Sequence, residues 1–294
     1  MVEIRHLRYF IAVAQESNFS RAAEKLHISQ PPLSQQIQKL EEDLGLMLIE
    51  RGTRPVMLTE AGKFFYQQAL GLVDQFDQFI DKTQKMARGE EGALTIAFVS
   101  SSTYELMPGI LRNFRKLYPG VSLNLIEMNT PQQLESLKNK QINVGIGRPF
   151  PENPEIESHW ILDESVVVAI PSEHVWTNKT SVSLTDLKDE DMINFYWSHE
   201  PSFGNFVMTT CRKAGFEPHV VQRTGELQTA LGLVAAGIGV ALLPESVEHT
   251  SREGVKYIPL RTPSPTISMV AAYRKDDSSP ILKRFLDVVR SGKY

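Results

Sequence analysis

Cysteine is almost missing from this 294-residue chain, with Cys211 its one example. A single thiol excludes an internal disulfide framework and any metal site built from several cysteines. It lies in NFVMTTCRKAGF at helical periodicity, where a packing residue and a sensor thiol are both open readings. The opening MVEIRHLRYF has no apolar stretch behind its charges, so no secretory signal is expected. No run approaches membrane-spanning length, and a cytoplasmic protein without a membrane partner is expected. An excess of positive charge is lacking too. Lys and Arg number 31 against 35 Asp and Glu, a net charge of −4. That balance does not announce nucleic-acid binding, so any case for it must be local. No glycine-rich phosphate loop opens a helix, and the seven histidines are scattered without metal-ligand spacing. Of these, His174, His199 and His219 fall in loop-like sequence and read as surface residues. The serines near residue 100 have no identifiable base partner. Neither an enzyme nor a resident cofactor or metal is expected.

What is present is concentrated between Ser20 and Leu44, in SRAAEKLHISQPPLSQQIQKLEEDL. Ser20 is placed to cap a first short helix, and Ala22, Ala23 and Leu26 give it a small apolar face that a second helix can approach closely. Ile28 plugs the connection, Ser29 is a second cap, and Pro31 and Pro32 sit in an opening turn where a missing amide hydrogen is tolerated. Leu33, Ile37, Leu40 and Leu44 then recur at helical spacing on an inward face. The outward face carries Gln30, Ser34, Gln35, Gln38 and Lys39, donors and acceptors suited to base edges and phosphates. Together these form a helix-turn-helix, the geometry that reads a DNA major groove. LMLIERGTRPVMLT reads as two short strands around a turn, a wing, with an exposed turn as the alternative. Arg21, Lys25, Lys39, Arg51 and Arg54 are the candidate phosphate contacts, offset by Glu24, Glu41, Glu42, Asp43 and Glu50.

From Thr59 the pattern becomes one long helix, capped by Thr59 and ended by Arg88-Gly89-Glu90-Glu91-Gly92. Phe65, Ala69, Leu72, Phe76, Phe79 and Thr83 alternate steps of four and three, a coiled-coil seam that calls for a second copy of the chain. Burial against its own domain is the competing account. Beyond Gly92, strand-like ALTIAFV, VSLNLIE, INVGIG, VVVAI, MINF, VVQR, GVALLP and TISMVAAY alternate with helical segments. Such alternation predicts open parallel sheets covered on both faces, in two comparable sets of units.

RHLRYFIAVAQESNFSRAAEKLHISQPPLSQQIQKLEEDLG, then LIERG, then the Val56–Gly62 run VMLTEAG resemble the LysR-type transcriptional regulators. The pairing of RHLRYF with SQPPLS looks most like the branch regulating benzoate, catechol and chlorocatechol breakdown and acetoin synthesis. The resemblance implies an all-α winged helix-turn-helix domain at 1–58, and a linker helix and hinge at 59–92. An α/β effector-binding module follows at 93–294, built as two subdomains like a type 2 periplasmic binding protein. Subdomain I would take about 93–163 and 267–294, and subdomain II about 164–266, with two crossover strands and a cleft between. It further implies a homotetramer on double-stranded promoter DNA, assembled as a dimer of dimers, with RNA polymerase as a partner. Activation and repression are both compatible with the sequence. The rival function is a small-molecule binding protein of the transport type, which would have no use for Ser20–Leu44.

In open parallel sheets, ligands bind beyond the carboxyl ends of strands, and helix amino termini attract anions. The first strand ends in Ser100-Ser101-Ser102-Thr103, Asn129-Thr130 follows the second, and Arg148 follows INVGIG. Pro201-Ser202-Phe203 and Gly225-Glu226-Leu227 open later helices. In the resembled branch, matching positions hold the carboxylates of the inducer. Carried over, this nominates Ser101, Thr130, Ser202 and Phe203, with Ser100 and Arg148 beside them, and a small carboxylate as effector. Arg148 has a second reading, a structural ion pair. Met107, Phe150 and Leu227 are candidates for the apolar remainder of the pocket or for plain core. Two departures from relatives stand out. Gln35 replaces a common Arg, exchanging a guanine-type contact for one suited to adenine, and Asn143 replaces a common Asp.

Overall fold

Small residues on the second of three short helices let all three pack around one core. In the computed structural model, which describes residues 1–195 and 202–292, α1 spans Ile4–Glu16, α2 Phe19–Lys25 and α3 Gln30–Leu44. Phe10, Val13, Ala22, Leu33, Ile37 and Leu40 bury together. Fully burying a phenylalanine or leucine such as Phe10, Leu33 or Leu40 contributes about 1.5–3 kcal/mol each. Two expected caps differ. Asn18, not Ser20, caps α2, its Oδ1 accepting from the amides of Ser20 at 2.8 Å and Arg21 at 3.1 Å. Ser29 does occupy the cap position of α3, but its side chain makes no capping bond. The cap would accept from the second or third helical amide, and those residues are Pro31 and Pro32.

The wing is shorter than two strands. An isolated antiparallel bridge joins Ile49 to Leu58, supported by Glu50 N to Met57 O at 2.9 Å. The chain then enters α4, Glu60–Arg88, whose Gly62 amide donates to Thr59 Oγ1 at 2.9 Å, the expected cap. Glycine is required at 62 because a Cβ there would lie 1.9 Å from the Leu48 carbonyl oxygen. The seam on α4 divides. Phe65 packs edge-to-face on Phe10 at 5.3 Å, and Ala69 is buried, so these two belong to the core of their own unit. Leu72, Phe76 and Phe79 remain 54%, 40% and 62% exposed.

The chain divides into two compact units, Met1–Lys85 and Met86–Tyr294. In the second, β1 (Glu91–Phe98) lies parallel to β2 (Gly120–Glu127) and β3 (Val144–Gly147). Helices α5 (Leu106–Leu117) and α6 (Thr130–Lys138) connect them. β4 (Ile156–Pro171) runs into a second lobe holding β5 (Asp191–Phe195), α7 (Phe203–Lys213), β6 (His219–Thr224) and α8 (Leu227–Ala235), then β7 (Ala241–Pro244) and β8 (Val255–Pro259). β9 (Thr266–Arg274) returns to the first lobe, where α9 (Pro280–Ser291) packs on its core. Of the expected open parallel sheets, the two-stranded β5–β6 sheet is parallel, while the seven-stranded sheet is mixed. β9 pairs antiparallel with both β3 and β4, and β4 pairs antiparallel with β7 and β8. One strand out and one back must oppose each other, which parallel βαβ logic alone does not anticipate. Tyr196, Trp197, His199 and Pro201 lie outside the described residues.

Candidate functional site

Four segments that open helical turns converge between the two lobes of the second unit. They are the Ser100–Thr103 turn after β1 and the starts of α6, α7 and α8. Around them lies a cavity of about 310 Å³, within the range of small-molecule sites. Ser100, Ser101, Thr130, Arg148, Ser202, Phe203 and Leu227 all line it. Of the residues nominated from sequence for the effector site, these seven are thus in one place, and Met107 and Phe150 are not among them.

Each wall has a local cause. Asn129 caps α6 through the Gln132 amide at 3.0 Å, which leaves Thr130 at the first helical position with its side chain buried. Thr130 Oγ1 accepts from the Arg148 amide at 3.3 Å. Ser202 caps α7, its Oγ accepting from the Asn205 amide at 3.1 Å, and Phe203 stacks edge-to-face on Phe195 at 5.5 Å. Arg148 is the only charged residue on the described lining. It donates from Nη2 to Ser101 Oγ at 3.0 Å and from Nη1 to Glu164 Oε2 at 3.1 Å, with its guanidinium 5.8 Å from the Phe203 ring centre. Burial pushes its pKa down, while the Glu164 carboxylate pulls it up. The ion-pair reading of Arg148 and the cavity reading hold together.

Three helix starts, hydroxyls at Ser100, Ser101 and Thr130, and one compensated arginine thus stand together on the cavity wall. Sequence reasoning missed Glu164, which sits midway along β4 in a stretch that carries no strand signal. It also missed Val99, Pro131, Phe195, Thr224 and Pro244 on the lining. Met107 belongs instead to the first lobe's core, and Phe150 lines a neighbouring groove with Pro149 and Phe206. Asn143 now has a role. Its Oδ1 accepts from the Thr95 amide at 2.9 Å, and its Nδ2 faces Asp277 Oδ2 at 3.4 Å. An aspartate there would set two carboxylates against each other. Cys211 is fully buried, and burial pushes its thiol up to about 11, which favours the packing reading. His174 is half-buried beside Glu190 at 3.3 Å, and exposed His219 meets Asp191 at 2.8 Å.

The second candidate surface is on the first unit. Ser20, Arg21, Gln30, Pro31, Pro32, Gln35 and Gln38 are exposed, and Ser34 is half-buried, receiving a bond from Gln30 Nε2 at 3.0 Å. The arginines differ in freedom. Arg21 donates to the Glu16 carbonyl at 2.7 Å and Arg51 pairs with Glu41 at 2.7 Å. Arg54 is exposed and makes no ion pair among the described residues. Those residues also hold no group able to bind a metal ion, and no helix long and apolar enough to cross a membrane.

Residues 4–63 match the family described as bacterial regulatory helix-turn-helix protein, lysR family, and residues 87–293 match the LysR substrate binding domain. The chain is a LysR-type transcriptional regulator. It is therefore a DNA-binding regulator with an effector-binding domain and not an enzyme, and the transport-type reading falls. The regulator is 39% identical to the HTH-type transcriptional regulator AlsR of Bacillus subtilis (strain 168), over 98% of this chain and 95% of that protein. Full-length CbnR complexed with its target DNA matches it with a TM-score of 0.87 at 32% identity, covering 100% of both chains. The effector binding domain of BenM with its effector benzoate matches it with a TM-score of 0.63 at 31% identity. That likeness covers 68% of this chain and 90% of that one.

Proposed function

We propose that this regulator sits on promoter DNA as a dimer of dimers and is switched by a small organic carboxylate held between the lobes of its effector module. The observation that carries the reading is the convergence of Ser101, Thr130, Ser202 and Phe203 on one cavity at helix starts. The carboxylate would take the hydroxyls and free amides, and its apolar body would lie against Phe195, Phe203 and Leu227. Benzoate, the effector in the BenM structure, is a molecule of that kind. Ligand binding would shift the balance between arrangements that bend DNA differently, changing access for RNA polymerase.

DNA is read by the exposed face of α3, with Gln30, Pro31, Pro32, Ser34, Gln35 and Gln38 toward the major groove. Ser20, Arg21, Arg51 and Arg54 would contact the backbone. Leu72, Phe76 and Phe79 pair two copies along α4, so that two recognition helices meet successive half-sites. A cytoplasmic location belongs to the same reading. The test is thermal shift of the full chain against a panel of small carboxylates and matched amines, because a ligand stabilises the state it binds. Carboxylates should raise the effector-module transition and amines should not. A panel in which only amines stabilise would overturn the anionic reading.

A further inference from the structure

Glu41 reads in sequence as one more solvated acid on a helix rich in charge, yet its side chain is 3% exposed. It projects from the carboxyl-terminal part of α3 into the base of the wing. Oε1 accepts from the amides of Leu48 at 2.8 Å and Ile49 at 3.0 Å, two residues that are themselves buried. Oε2 takes Arg51 Nη2 at 2.7 Å, while the Arg51 side chain stays 65% exposed. One carboxylate therefore joins the recognition helix, the inner edge of the wing and the arginine at its turn. A buried carboxylate is retained at such a point only when its acceptor capacity is met, as here by three donors.

We propose that Glu41 is a positioning residue for DNA recognition, holding the wing at a fixed offset from α3 and Arg51 as an oriented donor instead of a mobile charge. The inference rests on the reading of α3 and the wing as the DNA surface. A guanidinium has five N–H donors in a rigid fork. With one of them on Glu41, the outward remainder keeps a set direction beside the groove that α3 would enter. Arg54, without a carboxylate partner among the described residues, supplies the wing's second positive charge. The Glu41–Arg51 pair thus fixes where Arg51 meets the backbone, which sets the register of α3 and through it selectivity, and its near-neutral sum limits what that contact adds to sequence-independent affinity.

The test uses the full chain and a duplex selected by the wild type from a random-sequence pool, against a scrambled duplex of the same composition. E41Q keeps an oxygen for the Leu48 and Ile49 amides but releases Arg51. Its preference for the selected duplex should fall about tenfold, while affinity for the scrambled duplex holds or rises and the salt dependence steepens. In an R51A background the same change should alter preference less than about twofold, because a double-mutant cycle isolates the pair. R51K keeps the charge and loses the fork, so it should lose preference without changing the salt slope. This second variant decides the matter even if E41Q folds poorly. Equal loss from E41Q in both backgrounds, an unchanged preference in E41Q, or wild-type preference in R51K would each overturn the inference. Failure of the wild type to select any duplex would instead overturn the DNA-surface reading beneath it.

Discussion

Arg148 Nη1 lies 3.1 Å from Glu164 Oε2, with the two side chains only 6% and 9% exposed. Arg148 follows β3 in the first lobe and Glu164 stands on the crossover strand β4, so the pair ties the cavity wall to the strand that leaves that lobe. The Glu164 carboxylate is fully engaged, its other oxygen accepting from the Ser246 amide at 3.0 Å. Glu164→Gln leaves a buried guanidinium without its counter-charge, at a cost of about 3–5 kcal/mol. The urea midpoint of the effector module should fall accordingly. Replacing both residues with apolar ones of similar volume should restore much of the loss. A wild-type midpoint in Glu164→Gln would show the pair to be solvated in solution.

Gln35 is exposed on α3 where an amide can pair with adenine. Gln35→Ala should lose about 1–3 kcal/mol on a selected duplex and much less on random DNA. Equal losses on the two would remove Gln35 from base readout.

Along α4, Leu72, Phe76 and Phe79 stay in water unless a partner covers them. Phe76→Asp would bury a charge in that seam at a cost of several kcal/mol. Dimerisation and DNA affinity should then fall together, with the effector module still folded. Wild-type mass in sedimentation would place the dimer contact elsewhere.

The Cys211 thiol is pushed up to about 11 by burial, with Glu217 adding to the shift. A thiol whose folded pKa exceeds its unfolded one adds stability that is fully present below the unfolded value, and loses it as pH rises through the folded value. At pH 8, iodoacetamide should alkylate the native protein at least about a hundredfold more slowly than the urea-unfolded chain, because thiolate is the nucleophile. Comparable rates would reopen the sensor reading.

Much of this was legible in the sequence because single rules governed it. The inward stripe of Leu33, Ile37 and Leu40 follows from helical period alone, and the strand-end rule brings out the hydroxyl-rich loops, while the choice of Ser101, Thr130, Ser202 and Phe203 among them comes from the family resemblance. What escaped depended on residues acting against their usual role. Ser29 holds the cap position but cannot cap, because the prolines that mark the helix start have no amides to offer. Glu41 and Glu164 carry charges that read as surface and are buried by partners far along the chain. Phe65 and Ala69 fit a heptad and also fit their own core, and period cannot separate these until Phe10 is seen beside Phe65. β4 begins ten residues before its apolar run VVVAI because its first half is half-exposed.

The central claim is that a carboxylate occupies the cavity at Ser101 and Thr130. Calorimetric titration of the wild type and of the Ser101→Ala, Thr130→Ala double variant, using the best stabilising carboxylate from the thermal-shift panel, tests it most directly. Hydrogen bonds to a charged group contribute about 1.5–3 kcal/mol each, so the double variant should bind at least tenfold more weakly. Because the two hydroxyls also accept from the Arg148 amide and Nη2, stability should fall by about 1–3 kcal/mol for each, with the fold and the affinity for DNA retained. Equal affinity in the two proteins would contradict the claim and place the effector outside this cavity.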